Sequence, residues 1–204
     1  MKFFLRAKHW QLFILVAGIP FIAQIALIAN FANSIGEGNP AEMFTPFLSV
    51  LFPIMMVTVT GIFFGWFYTM GINLHPKLPV TVNMPLTKFK IFLAIPLVYL
   101  FCIIIFMGVL FNSIAATNGV PNPLIFLLIV PLHLFSMFCI FYCLYFVAKC
   151  LKAVEWQRPV TFSDYAGEFF LIWFFPIGVW FIQPRINKLF DENLQDGSLP
   201  RNLL

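Results

Sequence analysis

Acidic and basic side chains are both missing from the four longest apolar runs of this sequence, at residues 10–32, 47–72, 91–111 and 124–148. The lack of Asp and Glu there removes the usual carriers of proton-coupled transport and of carboxylate catalysis inside a membrane. Also missing are HExxH, a GxSxG nucleophile elbow and a glycine-rich loop ending in Lys-Ser/Thr, which leaves no familiar protease, hydrolase or nucleotide-binding signature. Haem between helices needs paired axial histidines, and His133, the one imidazole within the runs, has no counterpart in another. Cysteine is absent from the gaps expected outside the cell. All four (Cys102, Cys139, Cys143, Cys150) lie within or just beyond apolar runs, so no disulfide framework is implied. No small-x-small cleavage pattern follows the first run, which is also longer than a signal-peptide core and is read as a span.

What is present is hydrocarbon. The chain is 61% hydrophobic and 10% charged, with a mean hydropathy of +0.94. Too few polar groups exist to cover such a surface in water. Each of the four runs is long enough to cross about 30 Å of hydrocarbon at about 1.5 Å per residue. Basic residues precede the first run (Lys2, Arg6, Lys8), follow the second (Lys77, Lys88, Lys90) and follow the fourth (Lys149, Lys152, Arg158), while the other gaps hold only Glu37 and Glu42. Because Lys and Arg near span ends stay on the cytoplasmic side, both termini are expected inside. The expected protein is all-α, a single membrane domain over 1–204, multi-pass in a bacterial cytoplasmic (inner) membrane. Its net charge of +4 sits on the rim facing anionic lipid and is no argument for nucleic acid.

The two pairs of spans resemble each other. Phe31-Ala32-Asn33-Ser34-Ile35 aligns with Leu110-Phe111-Asn112-Ser113-Ile114, Pro46 and Pro53 with Pro123 and Pro131, and Ile19-Pro20 with Ile95-Pro96, at shifts of 76 to 79 residues. A tandem duplication of one helical hairpin would give this pattern, as would chance matching of low-diversity apolar sequence. The same shift carries Gly61 and Gly65 onto Cys139 and Cys143. Two cysteines at i and i+4 share a helix face and could ligate a metal, with His133 as a third donor. Six residues of helix turn His133 well away from Cys139, however, and no further ligand joins them. Both small-residue pairs are therefore read as helix-packing faces, with no metal or other cofactor expected. His133 is kept as a candidate intramembrane polar site. Pro20, Pro53, Pro96 and Pro131 fall within or beside the helical patterns and are read as shaping kinks.

A fifth apolar segment, 169–182, is short and is interrupted by Pro176-Ile177-Gly178. If it spanned, Arg185, Lys188 and Arg201 would lie outside, against the rule obeyed by every other cation. Residues 162–184 are thus expected to form a re-entrant hairpin turning at 176–178, or a broken interfacial helix, followed by a cytoplasmic tail at 185–204; five spans is the alternative. Thr161 and Asp164 have capping-box spacing. On the hairpin reading, Asp164, Glu168, Arg185 and Lys188 come together at one interface. The linker 75–90 alternates Leu78, Val80, Val82 and Met84 with polar residues, which suggests an extended piece with one apolar face.

Three function classes survive: a structural, accessory or partner-binding membrane module, a small transporter or channel subunit, and an interfacial lipid-modifying enzyme using His9 or His75 with Asp164 or Glu168. The expected partners are the bilayer and either a second copy or a larger membrane complex. The module is preferred, because few polar residues are available to line a path and no catalytic constellation is visible.

Overall fold

A computed structural model describes residues 2–34, 52–117 and 124–191. Segments 35–51, 118–123 and 192–204 lie outside the described residues, and with them Pro46, Pro123, Arg201 and part of the proposed repeat. Among the described residues the protein is helical, with no strand. Helix α1 is Lys2–Arg6. Helix α2, His9–Phe13, runs through a widened π-helical stretch, Ile14–Gly18, into α3, Ile19–Ser34. Pro20 has no N–H to offer, and its ring opposes the carbonyl four residues back, so a locally wider helix at this point has a direct cause. Helices α4 (Phe52–Leu74), α5 (Leu86–Thr117) and α6 (Leu124–Trp156) follow. Helices α7 (Phe162–Trp173) and α8 (Phe175–Leu189) complete the order.

Among the described residues four segments are long and apolar enough to cross a membrane: His9–Ala29, Pro53–Lys77, Leu86–Leu110 and Leu127–Trp156. Each overlaps one of the apolar runs. The helices extend past those runs because Lys88, Lys90, Lys149 and Lys152 are good helix formers and carry the pattern on.

The chain divides into two compact units. One comprises Pro20–Phe64 and Thr87–Cys143. Within it, Phe92 of α5 packs against Phe138 and Tyr142 of α6, at ring separations of 6.3 and 4.6 Å. Ile105, Val109, Leu127 and Leu128 remain exposed, a surface that a protein in water seldom leaves bare.

The other unit comprises Met1–Ile19, Gly65–Leu86 and Leu144–Leu204 and has a dense core. Trp66, Met70, Phe146, Leu151, Ile172 and Ile182 are fully buried. Helix α6 ends where Gln157 adopts a left-handed φ of 48° ahead of Pro159. The chain then turns into α7. Asp164 accepts the Thr161 N–H at 2.8 Å and its hydroxyl at 2.9 Å, fastening the helix start.

The break between α7 and α8 falls at Phe174, not at 176–178 as the sequence suggests. Pro176 occupies the first turn of α8, where its missing N–H is no loss. Gly178 serves a different purpose: a Cβ there would overlap the Leu171 carbonyl. Glycine lets the two helices approach backbone to backbone just past the turn.

The linker differs from expectation too. His75–Lys77 is a 3-10 turn, and the Val82 N–H donates to the Pro79 carbonyl at 2.9 Å, reversing the chain. That reversal breaks the alternation, leaving Val80 fully exposed and Met84 buried.

Candidate functional site

The residues of most chemical interest gather where α6, α7 and α8 meet in the second unit. Glu168 projects from the middle of α7, with a side chain only 7% exposed. Lys152, four residues before the end of α6, donates to Glu168 Oε1 at 2.9 Å. Arg185 of α8 donates to the same oxygen through Nη2 at 2.8 Å. It also grips Glu155 of α6 with both its Nε (2.7 Å) and its Nη2. Two cations thus face two carboxylates, and the sum of charge is zero.

Electrostatics follow from this geometry. Burial alone would push Glu168 up, but hydrogen bonds from Lys152 and Arg185 outweigh it and hold the carboxyl below its ordinary value. The hydrogen bond to Glu155, seconded by Glu168, raises Arg185 further above its already high value against the opposing effect of burial. Asp164 is lowered mainly by the Thr161 backbone N–H and then by the Thr161 hydroxyl. Its nearest cation is Arg158, at 3.9 Å.

Of the four residues expected to converge, Glu168 and Arg185 are in direct contact. Asp164 instead caps its own helix and faces Arg158, while Lys188 lies exposed on the last turn of α8. Lys152 and Glu155 complete the network and are absent from the grouping read in the sequence. Their spacing of three on the final turns of α6 was the available signal.

Gln183 is the other residue that sequence reasoning passes over. Fully buried, it accepts from Trp66 Nε1 at 2.8 Å and places its amide nitrogen 2.8 to 2.9 Å from the Phe4 and Ala7 carbonyls and from Asn187 Oδ1. One amide thereby ties α1 and α4 to α8. Trp180 adds to that anchorage, its ring tilted against those of His9 at 4.5 Å and Phe13 at 5.8 Å.

The histidines take places away from the carboxylates. His9 packs on Trp180, and His75 holds the Met84 carbonyl at 2.8 Å with its ring parallel to Phe146. No family model, curated protein or solved structure matches this chain.

A Cβ on Gly65 would meet the Phe4 ring at 3.1 Å, so an aromatic side chain takes the space its missing side chain leaves. Nothing lies within 4 Å of the corresponding point at Gly61. Cys139 and Cys143 are buried, and among the described residues no three His, Cys, Asp or Glu side chains group as metal ligands would. His133 Nδ1 lies 3.2 Å from the Tyr99 hydroxyl.

Proposed function

We propose that this chain is a noncatalytic multi-pass membrane module that packs with a partner in the bilayer of a bacterial cytoplasmic membrane. On this reading the four long apolar helices span, and both termini are cytoplasmic. Helices α7 and α8 form a re-entrant hairpin at the cytoplasmic face. The hairpin is supported by the contact between Glu168 and Arg185 and by the close approach at Gly178. From Glu168 to Trp173 is five residues, about 8 Å of helix, and from Arg185 to Phe175 about 15 Å. Neither distance crosses about 30 Å of hydrocarbon. Phe170, Trp173, Phe174, Ile177 and Phe181 are exposed around this tip, suited to acyl chains, and Trp180 to the headgroup level.

The observation that carries the reading is the closed quartet of Lys152, Glu155, Glu168 and Arg185. Catalytic carboxylates have to face a substrate, and these are held by cations of their own chain. Among the described residues His9 lies against Trp180 and His75 against the Met84 carbonyl, and neither pairs with these carboxylates, which argues against the lipid-enzyme alternative. A closed ion network instead holds a hairpin rigidly in place, which suits a module that presents a fixed surface.

Native-membrane electrophoresis after mild solubilisation tests this. The chain is expected in a species at least twice its 23.5 kDa mass. Recovery solely as a monomer would overturn the reading.

A further inference from the structure

Tyr99 of α5 and His133 of α6 form a polar pair in the first unit, with Oη and Nδ1 3.2 Å apart and ring centroids 5.7 Å apart. Tyr99 lies about 20 Å along α5 from Leu86, and His133 about 14 Å along α6 from Leu124. Both positions fall deep within helices able to cross the bilayer. Yet His133 is exposed, and so are its apolar neighbours Val98, Phe101, Leu132 and Leu134. A polar group at that depth is costly against lipid and is normally found facing another polar group.

The hydrogen-bond inventory identifies what can cover it. A neutral imidazole carries one donor and one acceptor, and a phenol can do both. After their mutual bond the pair retains one donor and one acceptor, whichever ring nitrogen holds the proton. If Tyr99 donates to Nδ1, the Nε2–H and the phenol oxygen remain; if Nδ1–H donates, Nε2 and the phenol hydrogen remain. Nε2 has no partner among the described residues. A unit with one leftover donor and one leftover acceptor is complementary to itself. Across a two-fold axis, each copy's donor meets the other's acceptor and both bonds close.

We propose that this face is the interface of a homodimer, completed only when a second copy supplies the partners for Tyr99 and His133. The proposal names the occupant of the module described above and rests on that reading. Cys102, exposed and three residues after Tyr99, shares the same side of α5 and falls inside the interface.

The test uses full-length protein carrying one fluorophore at its C-terminus, reconstituted at low density in lipid vesicles, with subunits counted by photobleaching. Wild type is expected to dimerise, and a flexible bis-maleimide to join copies through Cys102, with no product in Cys102→Ser. His133→Phe, which suits lipid but removes both polar groups, should weaken the dimer roughly three-fold per hydrogen bond and about eight-fold for two. His133→Gln keeps a donor and an acceptor and should retain the dimer. A monomeric wild type, dimerisation unchanged by His133→Phe, or a dimer that Cys102 cannot join overturns the proposal. If the chain then still runs in a larger native assembly, only the identity of the partner has failed; if it runs as a monomer there as well, the module reading fails with it.

Discussion

Replacing Arg185 by Met removes the cation from between Glu155 and Glu168 while keeping most of the side chain's length. Glu168, 7% exposed, would keep only Lys152, and Glu155, 20% exposed, would lose its bidentate partner. Breaking a fully buried ion pair from one side costs about 3–5 kcal/mol, because a charge stays behind without compensation. Arg185 itself is 30% exposed, so water reaches part of the network. We therefore expect a smaller loss, about 2–3 kcal/mol. For a chain of this length that corresponds to a fall of roughly 5–10 °C in midpoint. The assay is thermal unfolding in detergent in a Cys102→Ser background, followed by maleimide fluorescence as buried Cys139, Cys143 and Cys150 become reactive. Adding Glu155→Gln to Arg185→Met should recover part of the loss, since one stranded carboxylate is then neutral. A fall below about 1 °C would refute the reasoning, because it is what solvated surface charges would give.

Three further outcomes follow from the same unit. Gly178→Ala forces a methyl onto the Leu171 carbonyl, so the hairpin has to open; a loss on the order of 3 kcal/mol or more is expected in the same thermal assay. Gln183→Leu removes the acceptor of the Trp66 N–H and the amide that donates to the Phe4 carbonyl, leaves the Ala7 carbonyl to Asn187 alone, and should cost about 2–3 kcal/mol, with intrinsic tryptophan fluorescence reporting the altered surroundings of Trp66. Glu168 has its folded pKa depressed by Lys152 and Arg185, so its contribution is fully present above the ordinary carboxylate pKa of about 4.3 and is lost as pH falls through the lower folded value. Stability should accordingly be flat near neutrality and drop below about pH 5, and Glu168→Gln should flatten that drop.

The apolar helices were readable because a span needs only length and the exclusion of charge, and both are local properties of the sequence. Their ends were less readable: Lys88 and Lys152 look like boundaries by charge, yet they continue the helices. Pro176 and Gly178 read as punctuation, but a proline in the first turn of a helix and one in a loop carry the same local signature. Phe174, which makes the break, has no such mark. Glu168 and Arg185 could be paired in advance because the hairpin returns the chain within seventeen residues. The part played by Lys152 and Glu155 depends on how α7 folds back along α6, a consequence of Gln157 adopting a left-handed conformation that its sequence does not announce. Gln183 was hidden for a similar reason: its partners at residues 4, 7 and 66 lie more than a hundred residues away.

On the proposed reading α7 and α8 enter and leave the membrane on one side. Single cysteines at Asp164→Cys and Lys188→Cys, placed outside the ion quartet, can be probed with a membrane-impermeant maleimide in right-side-out and inside-out vesicles. Both positions are predicted to react only in inside-out vesicles, where the cytoplasmic face is turned to solvent. Reaction of the two from opposite sides would mean that 162–189 crosses the bilayer, and it would contradict the re-entrant hairpin.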